Sequence, residues 1–384
     1  MSDPVVLFDD TLNSYSFGAG HPMQPNRLRH TLALASFFGL DAELTLATVP
    51  TGTEDLSRLV HSVEYLRALR RNEPNIDFGI GTVEHPISTR RADGASHIVA
   101  GTVEAARMVW SGEARRVVNL AGGLHHAQPA RQSGFCALND VAVAISWLLR
   151  QGAQRIAYVD FDAHHGDGVE AMFWDDPRVL TISIHESGIY LFPYTGFPNE
   201  IGADTALGTA VNIALPPESG DSEWLEAIHG IVPQLLRAFR PEIVFSQHGA
   251  DTHFLDPLTH LKVSVEAEAN ALRSLSAWVD QFAGGNWVAV GGGGYNLDSV
   301  ARVWFQVLAA TAGVEVSGAE AMPADWSKRL DVPGATRLGD LHGESAHQLG
   351  LDFHPGKLTR SKPSAFLVAT SKAVFPYWGL TPYG

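Results

Sequence analysis

An α/β fold with a mostly parallel sheet is predicted by two features of the sequence. Short apolar runs alternate with longer amphipathic stretches. Several of the short runs are continuous and rich in valine and isoleucine, as in sheets covered on both faces. In chain order, Val5–Phe8 is a first strand, four apolar residues long, and Arg27–Phe38 a first helix. Glu43–Ala47 gives a second strand, and Leu56–Arg71, with leucines at helical spacing, reads as one helix. Ala95–Trp110 is helical and leads into the strand Val117–Leu120; the helix Asn139–Gln151 leads into the strand Ile156–Asp160. Val179–Ile184 is a strand, Ser222–Phe239 a helix, and Ile243–Ser246 a strand. The helix Ser264–Phe282, the strand Val288–Val290 and the helix Leu297–Ala310 complete the alternation. Past Gly313 the pattern weakens, and Asp325–Gly384 carries scattered proline, glycine and lysine. One domain is expected over residues 1–312, with 313–384 an irregular extension packed on it or trailing from it.

Composition narrows the function classes. The 384 residues are 45% hydrophobic and 18% charged, an ordinary globular profile. A formal charge of −15 argues against a nucleic-acid surface, which needs a basic patch. It is compatible with cationic partners. Cys136 is the single cysteine, so no intrachain disulfide forms and a reducing, cytoplasmic setting is expected. The N-terminal residues lack the basic and long apolar regions of a secretory signal. No apolar run reaches the roughly 20 residues of a membrane span. The oligomeric state is not legible.

In parallel α/β sheets, ligands bind outside the carboxyl ends of the strands. Four strand ends deliver polar side chains there: His125 and His126 after Val117–Leu120, Asp160 to Asp167 after Ile156, Asp251 after Ile243–Ser246, and Tyr295 after Val288–Val290. The densest is Tyr158-Val-Asp-Phe-Asp-Ala-His-His-Gly-Asp-Gly168. Asp162 and His164, two apart, point to one side of an extended segment. With Asp251 they make three ligands and leave a position open, the catalytic arrangement for zinc. The competing reading makes Asp162 a helix cap and His164 a hydrogen-bonded core histidine. The tandem His125 and His126 suit proton transfer, with Asp160 and Asp167 as carboxylates for their outer ring nitrogens; a surface loop pair is the alternative. Gly291-Gly-Gly-Gly-Tyr295 allows close backbone approach to a ligand, with Gly293 a substrate-binding candidate, and makes Tyr295 a candidate donor to a developing oxyanion; an ordinary packed tyrosine is the alternative. It is not a phosphate loop, since no Gly-Lys-Ser/Thr follows. Gly134 and Phe135 are candidates for one wall of a narrow tunnel, with Phe192 opposite, or for ordinary core packing. Nothing local marks Cys136 as a reactive thiolate.

Together these residues resemble the zinc-dependent histone deacetylase superfamily, and within it the bacterial acetoin-utilisation deacetylases. The resemblance is carried, in family order, by Tyr15-Ser-Phe-Gly-Ala-Gly-His-Pro-Met23, Gly122-Gly-Leu-His-His-Ala127, Ser133-Gly-Phe-Cys136, the 158–168 run, Gly249-Ala-Asp251 and Gly291 to Leu297. Ser183-Ile-His-Glu-Ser-Gly-Ile-Tyr-Leu-Phe-Pro193 and Met322-Pro-Ala-Asp-Trp326 resemble the acetoin-utilisation branch in particular. It implies an arginase/deacetylase-like three-layer α/β/α fold with a sheet of about eight strands. It implies zinc, with iron(II) as the alternative, on Asp162, His164 and Asp251; His125 paired with Asp160; and His126, paired with Asp167, as the main general base and acid. It further implies a potassium site at Asp160, Asp162, His164, Ser183 and Ile184. A second cation site falls near Phe173, Asp176 and Val179, where Asp176 and Thr209 differ from many relatives. Glu84 falls where many relatives have an aspartate that holds the substrate backbone. Leu124 replaces an aromatic residue, and Ala163 a leucine or valine. His165 has no role in this reading.

The expected reaction is hydrolysis of the acetyl amide of a protein acetyl-lysine, with an acetylpolyamine as the runner-up substrate. Two further readings are an arginase-type ureohydrolase with two manganese ions, suggested by Asp162-Ala-His164, and a binding module for acetyl-lysine that has lost catalysis. Gly166, where the second-metal carboxylate should fall, counts against the first. Retention of every ligand, both histidines and the tyrosine counts against the second.

Overall fold

The computed structural model describes residues 4–340 and 362–384, apart from positions 19, 72 and 331. Eight strands form one sheet: β1 (Val5–Leu7), β2 (Thr45–Ala47), β3 (Arg116–Asn119), β4 (Ile156–Asp160), β5 (Val179–Glu186), β6 (Ala210–Leu215), β7 (Ile243–Gln247) and β8 (Trp287–Val290). Their order is β2-β1-β3-β8-β7-β4-β5-β6, and every pair is parallel. The expected α/β fold with helices on both faces is borne out.

The helices are α1 (Asn26–Phe37), α2 (Glu54–Ser57), α3 (Val63–Leu69), α4 (Thr89–Trp110), α5 (Asp140–Arg150), α6 (Asp167–Met172), α7 (Asp221–Phe239), α8 (Val265–Ala283), α9 (Leu297–Ala312), α10 (Trp326–Leu330) and α11 (Ala365–Val374). Helix α4 packs with α5, while α1, α9, α8, α7 and α11 pack in succession along the other layer. The strands between are apolar because both faces are covered. Ile156, Val159, Ile182, Ile243, Val244 and Val288 are fully buried, each worth roughly 1.5–3 kcal/mol relative to exposure.

Among the departures from the sequence reading, three have a clear local reason. The single helix expected over Leu56–Arg71 is broken in two, because Ser62 caps α3 by accepting the Tyr65 N–H (3.3 Å). Helix α4 begins at Thr89, not Ala95, capped by Ser88. Its Gly94 is there for proximity, since a Cβ would lie 2.7 Å from the Tyr15 backbone nitrogen. Strand β6 is not evident in the sequence because Asn212 interrupts its apolar run; buried, that side chain donates to Glu170 Oε2 (2.7 Å) and the Glu200 carbonyl (3.0 Å).

The extension after Gly313 carries α10 and α11, while 341–361 lies outside the described residues. Thr370 on α11 donates to the Asn212 carbonyl (2.7 Å) of outermost strand β6, and Trp378 donates to the Gly208 carbonyl (2.8 Å). A helix laid against an edge strand protects it from pairing with other chains.

The topology places the site. The chain builds β3, steps across to β4, continues outward through β5 and β6, and returns to fill the gap with β7 and β8. Strands β3, β8, β7 and β4 are therefore neighbours, and their last residues Asn119, Val290, Gln247 and Asp160 lie in register. The four loops that follow leave the sheet along one line, at its topological switch point.

Candidate active site

Beyond β4 the chain turns sharply and presents Asp162 and His164 to the same side. His164 Nδ1 lies 3.1 Å from Asp162 Oδ1 and 2.9 Å from Asp251 Oδ2, the latter carried by a short turn after β7. One ligand atom from each residue lies within 4.8 Å of the others, and all three residues are buried. The outer oxygens are already engaged: Asp162 Oδ2 accepts from Gln247 Nε2 (2.7 Å) and the Gly293 N–H (2.8 Å), and Asp251 Oδ1 from the Ala163 N–H (2.9 Å). The inner oxygens converge on His164. Burial and the charge of Asp162 push Asp251 up to about 6. Burial acts in the same sense on Asp162, but His125 and His164 outweigh it and hold that carboxyl well below its usual range. Two desolvated carboxylates around one imidazole fit a divalent cation taking oxygen and nitrogen donors, zinc or iron(II).

Gly293 belongs to the glycine run expected to let the backbone approach a ligand closely. It lines the cavity and also backs the ligands, since a Cβ there would sit 2.1 Å from Asp251 Oδ2 and 2.9 Å from Asp162 Oδ2. Gly293→Ala is therefore expected to lower metal affinity about 10–100-fold, the range seen when groups supporting ligands are disturbed. Chelator competition measures it, and unchanged affinity would remove the spacer role.

The two histidines stand beside this cluster. His125 Nδ1 is 2.8 Å from Asp160 Oδ2, which also accepts from the Tyr158 hydroxyl (2.6 Å). His126 Nδ1 is 2.7 Å from Asp167 Oδ1, whose partner oxygen accepts from Gln128 Nε2 (2.8 Å). The structure brings together the two His–Asp pairs named from the sequence. The start of α5 shapes their loop: Asp140 Oδ1 accepts the Leu124 N–H (2.8 Å), and Asn139 Nδ2 donates to the His125 and Ala127 carbonyls (3.1 and 3.2 Å). The two Nε2 atoms face each other at 3.0 Å, a separation that one shared proton satisfies. Environment divides the pair. Burial works against charge on His125, but Asp160 and Asp162 outweigh it and raise it to about 9. Burial and the neighbouring His125 push His126 down to about 4. Such divergence separates a fixed cation from a neutral proton acceptor.

Tyr295 closes the third side. Its loop holds Gly292 and Gly294 at φ 139° and 118°, conformations open to glycine, and Arg27 Nη1 ties their carbonyls together (2.9 and 3.1 Å). The Tyr295 N–H donates to Asp256 Oδ2 (2.8 Å), and Asn296 caps α9 immediately afterwards. Desolvation, with Asp251 and Asp162 nearby, raises the phenol well above its usual value, so it stays a proton donor.

One narrow cavity is lined by His125, His126, Gly134, Asp162, His164 and Tyr295. Phe192 lies against His126 (ring centroids 5.0 Å apart), and Phe135 against Tyr295 (5.8 Å). Phe135 is held at φ 62° by Tyr15, whose hydroxyl donates to its carbonyl (2.7 Å) and accepts the Ala137 N–H (3.0 Å). Glu84 is not drawn into this cavity: it is exposed, 3.9 Å from His85 Nδ1. Ser183 Oγ is 2.8 Å from His185 Nδ1, behind the β4 turn. Its neighbour Ile184 is fully buried in β5. Phe173 and Val179 flank a turn in which Asp176 pairs with Arg178 (2.6 Å). His165, without a role in the sequence, lies 2.9 Å from the Thr195 hydroxyl and 3.3 Å from Glu170 Oε2. Arg27, Gln247, Tyr158, Asp140 and Asp256 were not anticipated. Arg27 and Asp256 each act on a loop far along the chain, beyond the reach of local spacing.

The histone deacetylase domain family matches residues 21–311 of this chain. The acetoin utilization protein AcuC of Bacillus subtilis (strain 168) is 35% identical over 354 residues, covering 86% of this chain and 92% of that protein. The AcuC protein of Staphylococcus aureus (strain MRSA252) is 33% identical, covering 85% and 86%. A crystal structure of an HDAC homologue from Aquifex aeolicus aligns with TM-score 0.77 and 31% identity, over 86% of this chain and 89% of that one. An HDAC homologue complexed with SAHA aligns with the same TM-score at 29% identity, over 91% and 93%. The matches indicate a deacetylase, a hydrolase. The chain belongs to the histone deacetylase superfamily, in its acetoin-utilisation branch.

Proposed function

We propose that the protein removes acetyl groups from N-ε-acetyl-lysine in proteins, with Asp162, His164 and Asp251 holding zinc or, alternatively, iron(II). The observation that carries this reading is that His125 and His126, each held by an aspartate, and Tyr295 line the same cavity as Asp162 and His164 of the Asp-His-Asp cluster. Zinc in such a site supplies Lewis acidity, which polarises a carbonyl and acidifies water. His126 Nε2, neutral and held by Asp167, takes the proton of the attacking water. The Tyr295 hydroxyl donates to the carbonyl oxygen as negative charge builds. His126 then returns its proton to the lysine nitrogen as the C–N bond breaks, and acetate and the free amine depart. His125, held by Asp160 and 3.0 Å from His126, lowers the proton affinity of its neighbour when it carries a proton. Gly134, Phe135 and Phe192 wall the acyl-lysine stem. Glu84, exposed on its turn, is the candidate for holding the substrate backbone.

The rim favours a protein substrate over an acetylpolyamine. Tyr190, Tyr194, Phe254, Leu255 and Leu258, on the segments around Phe192 and after Asp251, are exposed, whereas the nearby carboxylates of Glu186 and Asp256 are buried. The exposed aromatic and aliphatic groups on these two segments support a protein substrate. Potassium is proposed at the backbone oxygens of Asp160, Asp162 and His164 with Ser183 and Ile184, and a second cation near Phe173 and Val179. A two-manganese ureohydrolase is disfavoured at Gly166, where a Cβ would lie 2.3 Å from Asp160 Oδ2. Among the described residues no helix is long and apolar enough to cross a membrane.

The test is a side-by-side measurement of kcat/KM for an acetyl-lysine peptide and N-acetylputrescine at defined metal loading. The peptide is expected to be preferred at least tenfold. Preference for N-acetylputrescine would reverse the substrate assignment, and turnover of neither would sink the reading.

A further inference from the structure

The loop after β7 carries two groups the reaction depends on: Asp251, and Asp256, which anchors the Tyr295 backbone. Between them lies His253, fully buried. Its N–H donates to the Ala250 carbonyl (3.4 Å), and its own carbonyl accepts the Asp256 N–H (2.8 Å). Its ring position thus bears on both ends of the loop. His253 Nδ1 accepts the Leu255 N–H (3.2 Å), which leaves the proton on Nε2. That Nε2–H has a partner from outside the loop, Asp340 Oδ2 at 2.9 Å.

Asp340 comes from the segment beyond α9, more than 80 residues from His253 along the chain. It is itself tightly determined. Oδ2 also accepts the Val265 N–H (2.9 Å), Oδ1 accepts from Arg302 Nη1 (2.7 Å), and its backbone N–H donates to both Glu266 oxygens (3.0 and 3.1 Å). Arg302, fully buried on α9, also pairs with Asp298 (2.8 Å), whose other oxygen accepts from Trp326 Nε1 (2.7 Å) of α10. The side chain of Asp340 meets three donors, which an ionised carboxylate accepts together. An asparagine in its place would turn an amide N–H toward one of them.

We propose that Asp340 is a positioning residue for the catalytic centre: acting through His253, it holds the loop that sets Asp251 and, by way of Asp256, Tyr295. The inference rests on the metal site proposed above. The extension is on this view part of the working site, although none of it lines the cavity around Tyr295.

The test uses the full-length chain, with Asp340→Asn, His253→Phe and the double variant, and cobalt(II) as the probe. Cobalt(II) titration, with its visible absorption, reads the site whatever the substrate. Asp340→Asn is expected to weaken cobalt(II) binding about 10–100-fold, alter its absorption band, and lower kcat more than it changes KM. His253→Phe keeps an aromatic ring but removes the donor; it should give the same phenotype, with the double variant no worse than either single one. If the variants only lower Tm, while cobalt(II) affinity, absorption and kcat stay within about twofold of wild type, the positioning role is overturned. Should Asp340→Asn fail to fold, His253→Phe provides the same readout, and the same results support or overturn the role. Failure of the wild-type protein itself to bind cobalt(II) overturns the metal site and this inference with it, an outcome distinct from failure in the variants alone.

Discussion

His126→Ala is expected to lower kcat on an acetyl-lysine peptide by ~10²–10⁴, the usual contribution of a general acid–base group, while leaving metal content unchanged. Each half of that expectation has a structural cause. His126 Nδ1 is held by Asp167 at 2.7 Å, so its Nε2, 3.0 Å from His125 Nε2, is the nitrogen left to exchange a proton in the cavity that His126 lines. Burial and the adjacent His125 keep it neutral, with a value pushed down to about 4, so it accepts a proton near neutral pH. His125 cannot replace it readily: its own value, raised to about 9, leaves it protonated. None of the three ligands changes in this variant, so metal analysis should match wild type. Added imidazole, filling the vacated space, is the natural rescue. A rate within tenfold of wild type at full metal occupancy would take His126 out of the proton-transfer role.

Tyr295→Phe is expected to cost ~10²–10³ in kcat, the range for loss of one oxyanion donor, with KM nearly unchanged. The ring survives the substitution and with it the contact to Phe135 at 5.8 Å, so the cavity wall is kept. The loop survives too, because Asp256 holds the backbone N–H and Arg27 the flanking carbonyls, neither through the phenol. What disappears is one O–H donor whose proton affinity is raised by its desolvated setting. A group that donates as charge develops acts on kcat; one that merely binds the ground state acts on KM. Loss confined to KM would move Tyr295 from catalysis to substrate binding.

The Asp162–His164 part of the Asp-His-Asp cluster was legible because its rule is local. Asp162 and His164 are two apart at a strand end, and the alternation of an extended chain does the rest. The fold was legible because β4 and β8 are apolar at nearly every position and β7 opens on Ile-Val-Phe. Strand β6 was hidden by Asn212, a polar residue whose hydrogen bonds to Glu170 and Glu200 exist only after folding. Asp256, Arg27 and Asp340 were hidden for a related reason. Each is an ordinary charged residue until the sheet order brings it to a loop 39, 265 or 87 positions away. Spacing rules reach about one turn or one strand; the groups that hold the ligands and the tyrosine in place act over longer separations.

The sheet order has a consequence for biogenesis. Strand β8, the last to leave the ribosome, belongs between β3 and β7 in the middle of the sheet. A nascent chain ending before Trp287 has already made Asp162, His164 and Asp251, yet the slot beside β7 is vacant and Gly293, which orients Asp162, has not been synthesised. Until that strand is inserted, the hydrophobic flanks of β3 and β7 face no partner, a state prone to wrong association. A product truncated before that strand therefore carries Asp162, His164 and Asp251 without the backbone group that orients Asp162.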